Sequence, residues 1–122
     1  MCKTILIVDD DKDILSVLEK RLDMAGFDVM SASNGQRGIT IAKTEHPDLI
    51  ILDVQMPNMD GGEVAQRLRA DAVTENIPIL FLTCLLSRQE SNQMRYDSAG
   101  NLMVSKSIEP AELISLITKV YG

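Results

Sequence analysis

Leu49-Ile50-Ile51-Leu52-Asp53, four aliphatic residues in a row closed by a carboxylate, is the run from which the rest of the chain can be placed. Leu49–Leu52 is apolar without interruption, as expected of a strand in the middle of a parallel sheet with both faces covered. Pro78–Leu82 (PILFL) has the same character, and Thr4–Val8 (TILIV), Asp28–Ala32 (DVMSA) and Leu102–Val104 (LMV) complete a set of five strand candidates. Longer segments with helical spacing lie between them. Ile14, Leu15, Leu18 and Leu22 recur at i, i+3/i+4 and predict a first helix ending near Gly26, a residue suited to a helix C-terminus. The spacing predicts a second helix over Gln36–Thr44 with Ile39 and Ala42 inward, and a third over about Gly62–Ala70 burying Val64, Ala65 and Leu68. Ser87–Tyr96 reads as a short, exposed fourth helix with little apolar stripe beyond Met94. A fifth begins at Pro110 and carries Leu113, Ile114, Ile117 and Val120. Short strands alternating with helices are the pattern of βα units around a parallel sheet.

The 122 residues, 45% apolar and 25% charged, predict one globular domain over 1–122 with no linker or second module. A chain of this size buries roughly two-thirds of its unfolded surface, enough for a core without disulfide or metal staples. Twelve Lys+Arg against eighteen Asp+Glu give a formal charge of −6, which argues against direct nucleic-acid binding. Cys2 and Cys84 lack the spacing of a disulfide framework or zinc site and read as buried thiols of a reducing cytosol. Ile5–Val8 is too short for a signal peptide, and Ile77–Leu86 falls short of the ~20 residues needed to span a bilayer. A cytoplasmic protein without membrane association is expected.

In an open parallel α/β sheet, ligands bind beyond the carboxyl ends of the strands. There this chain carries Asp9-Asp10-Asp11 after the first strand, Asp53 after the third, Thr83 after the fourth and Lys106 shortly after the fifth. Asp9, Asp10 and Asp53 within a few ångströms would repel and raise one another's pKa unless a cation neutralised them. An all-oxygen donor set with open positions suits Mg2+ better than a transition metal. One ammonium and one hydroxyl complete a site for phosphoryl chemistry, with Asp53 as the natural nucleophile.

These residues, ILIVDDD at 5–11, LIILDVQMPNMDG at 49–61, LFLT at 80–83 and Lys106, resemble the receiver domain of two-component response regulators over essentially the whole chain. The resemblance implies a flavodoxin-like doubly wound α/β fold. Its five-stranded parallel sheet would run in the order 2-1-3-4-5, with the first and fifth helices on one face and the second, third and fourth on the other. It implies that Asp53 accepts a phosphoryl group from a histidine kinase or histidine phosphotransfer protein. Asp10 and Asp53 would ligate Mg2+ directly with the main-chain carbonyl of Gln55, Asp9 acting through water. Thr83 would be the switch hydroxyl, Lys106 the bridging cation, and Gln55 and Leu85 would tune the phosphoryl lifetime. The product would be a surface read by a downstream protein or an output domain, with no turnover catalysis beyond self-phosphorylation and autodephosphorylation.

The chain departs from the family pattern at two residues, and its 83–100 segment is slightly longer and its 100–106 segment slightly shorter than usual. Ser107 follows the lysine where a proline is usual, which predicts a strained cis bond there. Met103 stands where an aromatic switch residue is usual, so ring rotation is excluded as the readout, although a flexible apolar side chain can still move. These departures give an alternative, a degenerate receiver that docks partners without phosphorylation. A second rival is a haloacid-dehalogenase-like phosphatase, but Gln55 stands where that class places its second acid. Plain readings compete too. Asp9–Asp11 alone could be a solvated helix cap, which is the preferred reading for Asp11, and His46 before Pro47 is a surface residue.

Overall fold

The computed structural model describes residues 3–56, 59–83, 95–96, 101–106 and 108–121. In chain order these form β1 (Thr4–Val8), α1 (Lys12–Met24), β2 (Asp28–Ala32), α2 (Gly35–Glu45), β3 (Leu49–Asp53), α3 (Gly61–Arg69), β4 (Ile79–Thr83), β5 (Arg95–Tyr96), β6 (Leu102–Ser105) and α4 (Pro110–Tyr121). The sheet order is β2-β1-β3-β4-β6-β5. Its first five members are parallel and correspond to the expected order 2-1-3-4-5.

The sixth strand corrects the expectation for the fourth helix. Arg95–Tyr96, placed by the sequence at that helix's end, instead pairs antiparallel with β6, Arg95 opposite Met103 and Tyr96 opposite Leu102. A two-residue strand cannot display the period-2 pattern that would reveal it, and its pairing is made by backbone. The remainder of that helix, Cys2, Cys84, Leu85 and the Lys106–Ser107 bond lie outside the described residues.

Side-chain caps set the helix ends. Asp11 caps α1, its carboxylate accepting from the N–H groups of Asp13 at 3.0 Å and Ile14 at 3.4 Å. Asn34 caps α2 through Arg37 N–H, and Asp60 caps α3 through Glu63 N–H, both at 2.8 Å. Both helices therefore begin one residue before the predicted bounds. After α1, Gly26 takes φ +99°, and after α2 the exposed His46 takes φ 49°, turning the chain toward β3. β3, β4 and β6 likewise reach one residue beyond their apolar runs because Asp53 pairs with Leu82, and Thr83 with Ser105.

β3 and β4 are buried at every residue. Pleat alternation divides the core in two. Ile7, Ile51, Leu82 and Val104 face Leu15, Leu18 and Leu22 of α1 and Leu113 and Ile117 of α4. Leu6, Ile50, Phe81 and Ile79 face Ile39 and Ala42 of α2 and Val64, Ala65 and Leu68 of α3. The carboxyl ends of five parallel strands thus meet at one rim between two helical layers.

Gly61 sets the backbone beneath that rim. Its N–H donates to Val54 C=O at 2.9 Å, and a Cβ here would press on the Asp53 carbonyl oxygen and sit 2.9 Å from Val54 Cα. Backbone cannot give way as a side-chain tip can. Gly61→Ala is expected to lower the unfolding free energy by about 1–3 kcal/mol, the ordinary cost of overpacking, measured by urea titration.

Candidate functional site

Asp9 follows β1 and Asp53 closes the neighbouring β3, and the two residues are 1% and 2% exposed. In each, one carboxylate oxygen is fixed locally: Asp9 Oδ1 accepts from Asp11 N–H at 2.9 Å, and Asp53 Oδ1 from Gln55 N–H at 3.1 Å. These are Asx turns, in which an aspartate side chain binds the backbone two residues on. The remaining oxygens face Lys106, whose Nζ lies 3.3 Å from Asp9 Oδ2 and 3.0 Å from Asp53 Oδ2. Lys106 reaches them across the end of β4, and its own N–H donates to Thr83 C=O at 2.9 Å. Neither Oδ2 accepts a well-directed hydrogen bond among the described residues, so ion-pair proximity balances their charge without satisfying their lone pairs.

Asp10 is exposed on the same rim, and its carboxylate joins those of Asp9 and Asp53 in a group whose ligand oxygens all lie within 4.8 Å of one another. Three carboxylates and one ammonium leave a formal charge of −2. Two buried oxygens without directed donors and a third open to solvent fit a hard divalent cation that keeps some of its water, as Mg2+ does. The donor set contains no His or Cys, which a transition metal would normally recruit.

Burial drives the Asp9 carboxyl from its ordinary 3.8 up to about 6, with the neighbouring Asp53 charge adding to the rise, against the Asp11 N–H and Lys106. Burial alone would depress the Lys106 ammonium, but pairing with Asp53 and the charge of Asp9 reverse this and hold it above its usual value. A carboxyl raised on folding binds its proton more tightly in the native state. Its contribution favours folding below about pH 4 and is lost as pH rises through about 6. At neutral pH ionised Asp9 therefore opposes folding of the cation-free protein. Asp9→Asn in EDTA is expected to raise the unfolding free energy by about 1–3 kcal/mol at pH 7, from roughly two pKa units at 1.36 kcal/mol each, discounted for the lost Lys106 contact. The gain should vanish near pH 4, as urea unfolding at the two pH values will show.

Among the described residues, those expected at the site lie at this rim. Asp9, Asp53 and Lys106 touch, and Asp10 is adjacent. Thr83 is buried at the end of β4 beside them. Gln55 contributes its N–H to Asp53, and its side chain is exposed. Asp11 is a helix cap as expected, yet its N–H also holds Asp9, a positioning role that the Asx-forming Asp-x-Asp spacing could have revealed. From sequence Gly61 reads only as part of the 49–61 motif and of an Asp60-Gly61 turn, not as a position that the Asp53–Val54 backbone reserves for glycine. Met103, opposite Phe81 in the sheet, is half-buried and packs on the α2/α3 side of the core.

A family model described as the response regulator receiver domain matches residues 5–118. The chain is 40% identical over 113 residues to the DNA-binding dual master transcriptional regulator RpaA of Synechocystis sp., covering 93% of this chain and 46% of that protein. It is 36% identical over 119 residues to the phosphate regulon transcriptional regulatory protein PhoB of Pseudomonas aeruginosa, covering 97% and 51% respectively. The chain thus spans about half the length of these relatives. The structure of chemotaxis protein CheY4 of Vibrio cholerae superposes with a TM-score of 0.84 at 29% identity, covering 98% of this chain and 99% of that one.

Proposed function

The chain belongs to the response regulator receiver domain family, and from that membership we propose that it is a phospho-accepting switch in which Asp53 takes a phosphoryl group from a partner protein. Receiver domains are regulatory rather than catalytic. The reading rests on one observation above the others: Asp53 Oδ2 is buried, lacks a directed hydrogen bond among the described residues, and lies 3.0 Å from an ammonium group.

Asp53 attacks phosphorus through a carboxylate oxygen. The new O–P bond forms as the P–N bond to a phosphohistidine breaks, and the electron pair leaves with the imidazole, which is protonated from solvent. With acetyl phosphate a P–O bond breaks and acetate departs. Asp9, Asp10 and Asp53, with the main-chain carbonyl of Gln55, would hold Mg2+, which when bound supplies positive charge against the carboxylates and the phosphoryl oxygens. Lys106 pairs with the oxyanion that reaches Asp53, and the Thr83 hydroxyl donates a hydrogen bond to it. Asp11 N–H and Gln55 N–H keep Asp9 and Asp53 from turning away.

The partners of this reading are a sensor histidine kinase or histidine phosphotransfer protein upstream, and a downstream protein or output domain that reads the altered surface. Residues 1–122 act as one receiver domain in the cytoplasm, without direct contact to nucleic acid. Among the described residues no helix is long and apolar enough to cross a membrane.

Incubation with acetyl phosphate and Mg2+, followed by intact mass spectrometry, tests the proposal. A single phosphoryl adduct, suppressed by EDTA, is the expected result. Absence of an adduct in a protein that retains Mg2+ binding would leave the docking-module alternative in its place.

A further inference from the structure

Arg69 closes α3 at the pole of the sheet opposite the acids, and its guanidinium meets three acceptors. Nη1 donates to Glu75 C=O at 2.9 Å and to Ile77 C=O at 2.7 Å, and Nη2 donates to Asn101 Oδ1 at 3.1 Å. The first two acceptors lie in the turn between α3 and β4, which has ties of its own: the buried Thr74 hydroxyl donates to Leu68 C=O at 2.7 Å, and Ile77 N–H donates to Thr74 C=O at 3.1 Å. The third crosses to the residue before β6, 32 positions along the chain. Asn101 is 7% exposed, and an amide oxygen so buried calls for a donor. The planar fork serves turn and strand together, a geometry that an ammonium does not offer. β6 has four residues, and its own pattern marks its register poorly. Leu102 and Val104 face the α1/α4 core and Met103 the α2/α3 core, so polarity penalises a one-residue slip of these three only weakly. On its outer side β6 pairs, among the described residues, with the two residues of β5.

We propose that Arg69 is a positioning residue for Lys106: by tying the end of α3 to Asn101 it fixes where β6 starts, and thereby where the ammonium beyond its other end stands against Asp9 and Asp53. Five residue steps at about 3.3 Å each put roughly 16 Å between Asn101 and Lys106. α3 itself starts at Gly61, pressed on the backbone of Asp53 and Val54. One helix thus touches the acid-bearing backbone at its first residue and holds the lysine-bearing strand at its last. The two sides of the 3.0 Å contact between Lys106 and Asp53 share that frame. The consequence for phosphoryl binding rests on the function proposed above, whereas the effect on β6 does not.

The test compares the full chain with Arg69→Met, which keeps an apolar stem, and with Asn101→Ala, which leaves the turn contacts of Arg69 in place. Amide hydrogen exchange reads the strand. Protection of the Lys106 amide, bonded to Thr83 C=O, should fall about tenfold in either variant, the lower weight of a hydrogen bond to a charged group, and no further in the double variant. The Asp9 amide, bonded to Ala32 C=O at the far side of the sheet, should keep its protection. Equal loss at Asp9 and Lys106, or none at Lys106, would overturn the proposal. Titration with beryllofluoride in saturating Mg2+ then reads the site. Each single variant should bind about threefold more weakly, less than the loss of the ammonium itself. That weakening should disappear in a Lys106→Met background, where no ammonium remains to be placed. Unchanged binding, or a weakening that persists in that background, would overturn the positioning role. If exchange responds as expected but no form, wild type included, binds beryllofluoride, the hold on β6 stands and the phosphoryl reading fails.

Discussion

Asp53→Ala should take up no phosphoryl group from acetyl phosphate and Mg2+ over a period in which wild type is labelled, a loss of at least about 10³-fold in rate. The reason is positional as well as chemical. Asp53 Oδ2 is the buried carboxylate oxygen closest to the Lys106 ammonium. Asp9 has the same chemistry, but its Oδ2 stands further from the Lys106 ammonium, at 3.3 Å against 3.0 Å, so an oxyanion at Asp9 is less well compensated. Labelling that persists in Asp53→Ala would move the acceptor elsewhere. Misfolding is not expected to confuse the result. Removing Asp53 takes away a buried charge facing Asp9 and leaves Lys106 paired with Asp9, so the urea midpoint in EDTA should not fall.

Lys106→Met should do the opposite to stability while also impairing labelling. Methionine keeps much of the aliphatic stem and removes only the ammonium. Asp9 and Asp53 would then face each other buried, without a cation, and a buried ion pair deprived of one partner typically costs several kcal/mol. Lys106 is 22% exposed, so solvent softens the loss, and a fall of about 1–3 kcal/mol in unfolding free energy is expected in EDTA at pH 7. Mg2+ should recover part of it by restoring positive charge to the same carboxylates. The labelling rate should fall about 10²-fold, the usual effect of removing one charge-stabilising group from a site that excludes water. A stable Lys106→Met protein with wild-type labelling would show that the ammonium merely fills space. Combined with Asp9→Asn the stability effects should not add, because both changes act on one charge cluster.

The parallel core of this fold was legible because period and polarity carry it. Leu49–Leu52 and Pro78–Leu82 announced central strands, and the stripes of α1, α3 and α4 announced which residues face them. The site was legible for a related reason: in a doubly wound sheet the residues after the strands share one rim, so Asp9, Asp53, Thr83 and Lys106 could be grouped without coordinates. What sequence could not show was set by backbone and by single side-chain choices. Asn34 and Asp60 move two helix starts by one residue through their caps. Arg95–Tyr96 joins the sheet edge through main-chain pairing with β6, for which two residues leave no pattern. The demand for a glycine at 61 comes from the Asp53–Val54 backbone passing beneath it, a contact invisible along the chain. The rise in the Asp9 pKa follows mainly from burial, which residue identity alone does not specify.

The central claim, that acids from two strands share one divalent cation, is tested most directly by titrating the metal-free protein with Mg2+ and following its backbone amide resonances. Saturable shifts concentrated at Asp9, Asp10, Asp53 and Gln55, and lost in Asp53→Ala, are the predicted result. A titration that leaves those four amides unmoved, or moves instead those of acids away from the rim such as Asp71 and Glu63, would contradict it.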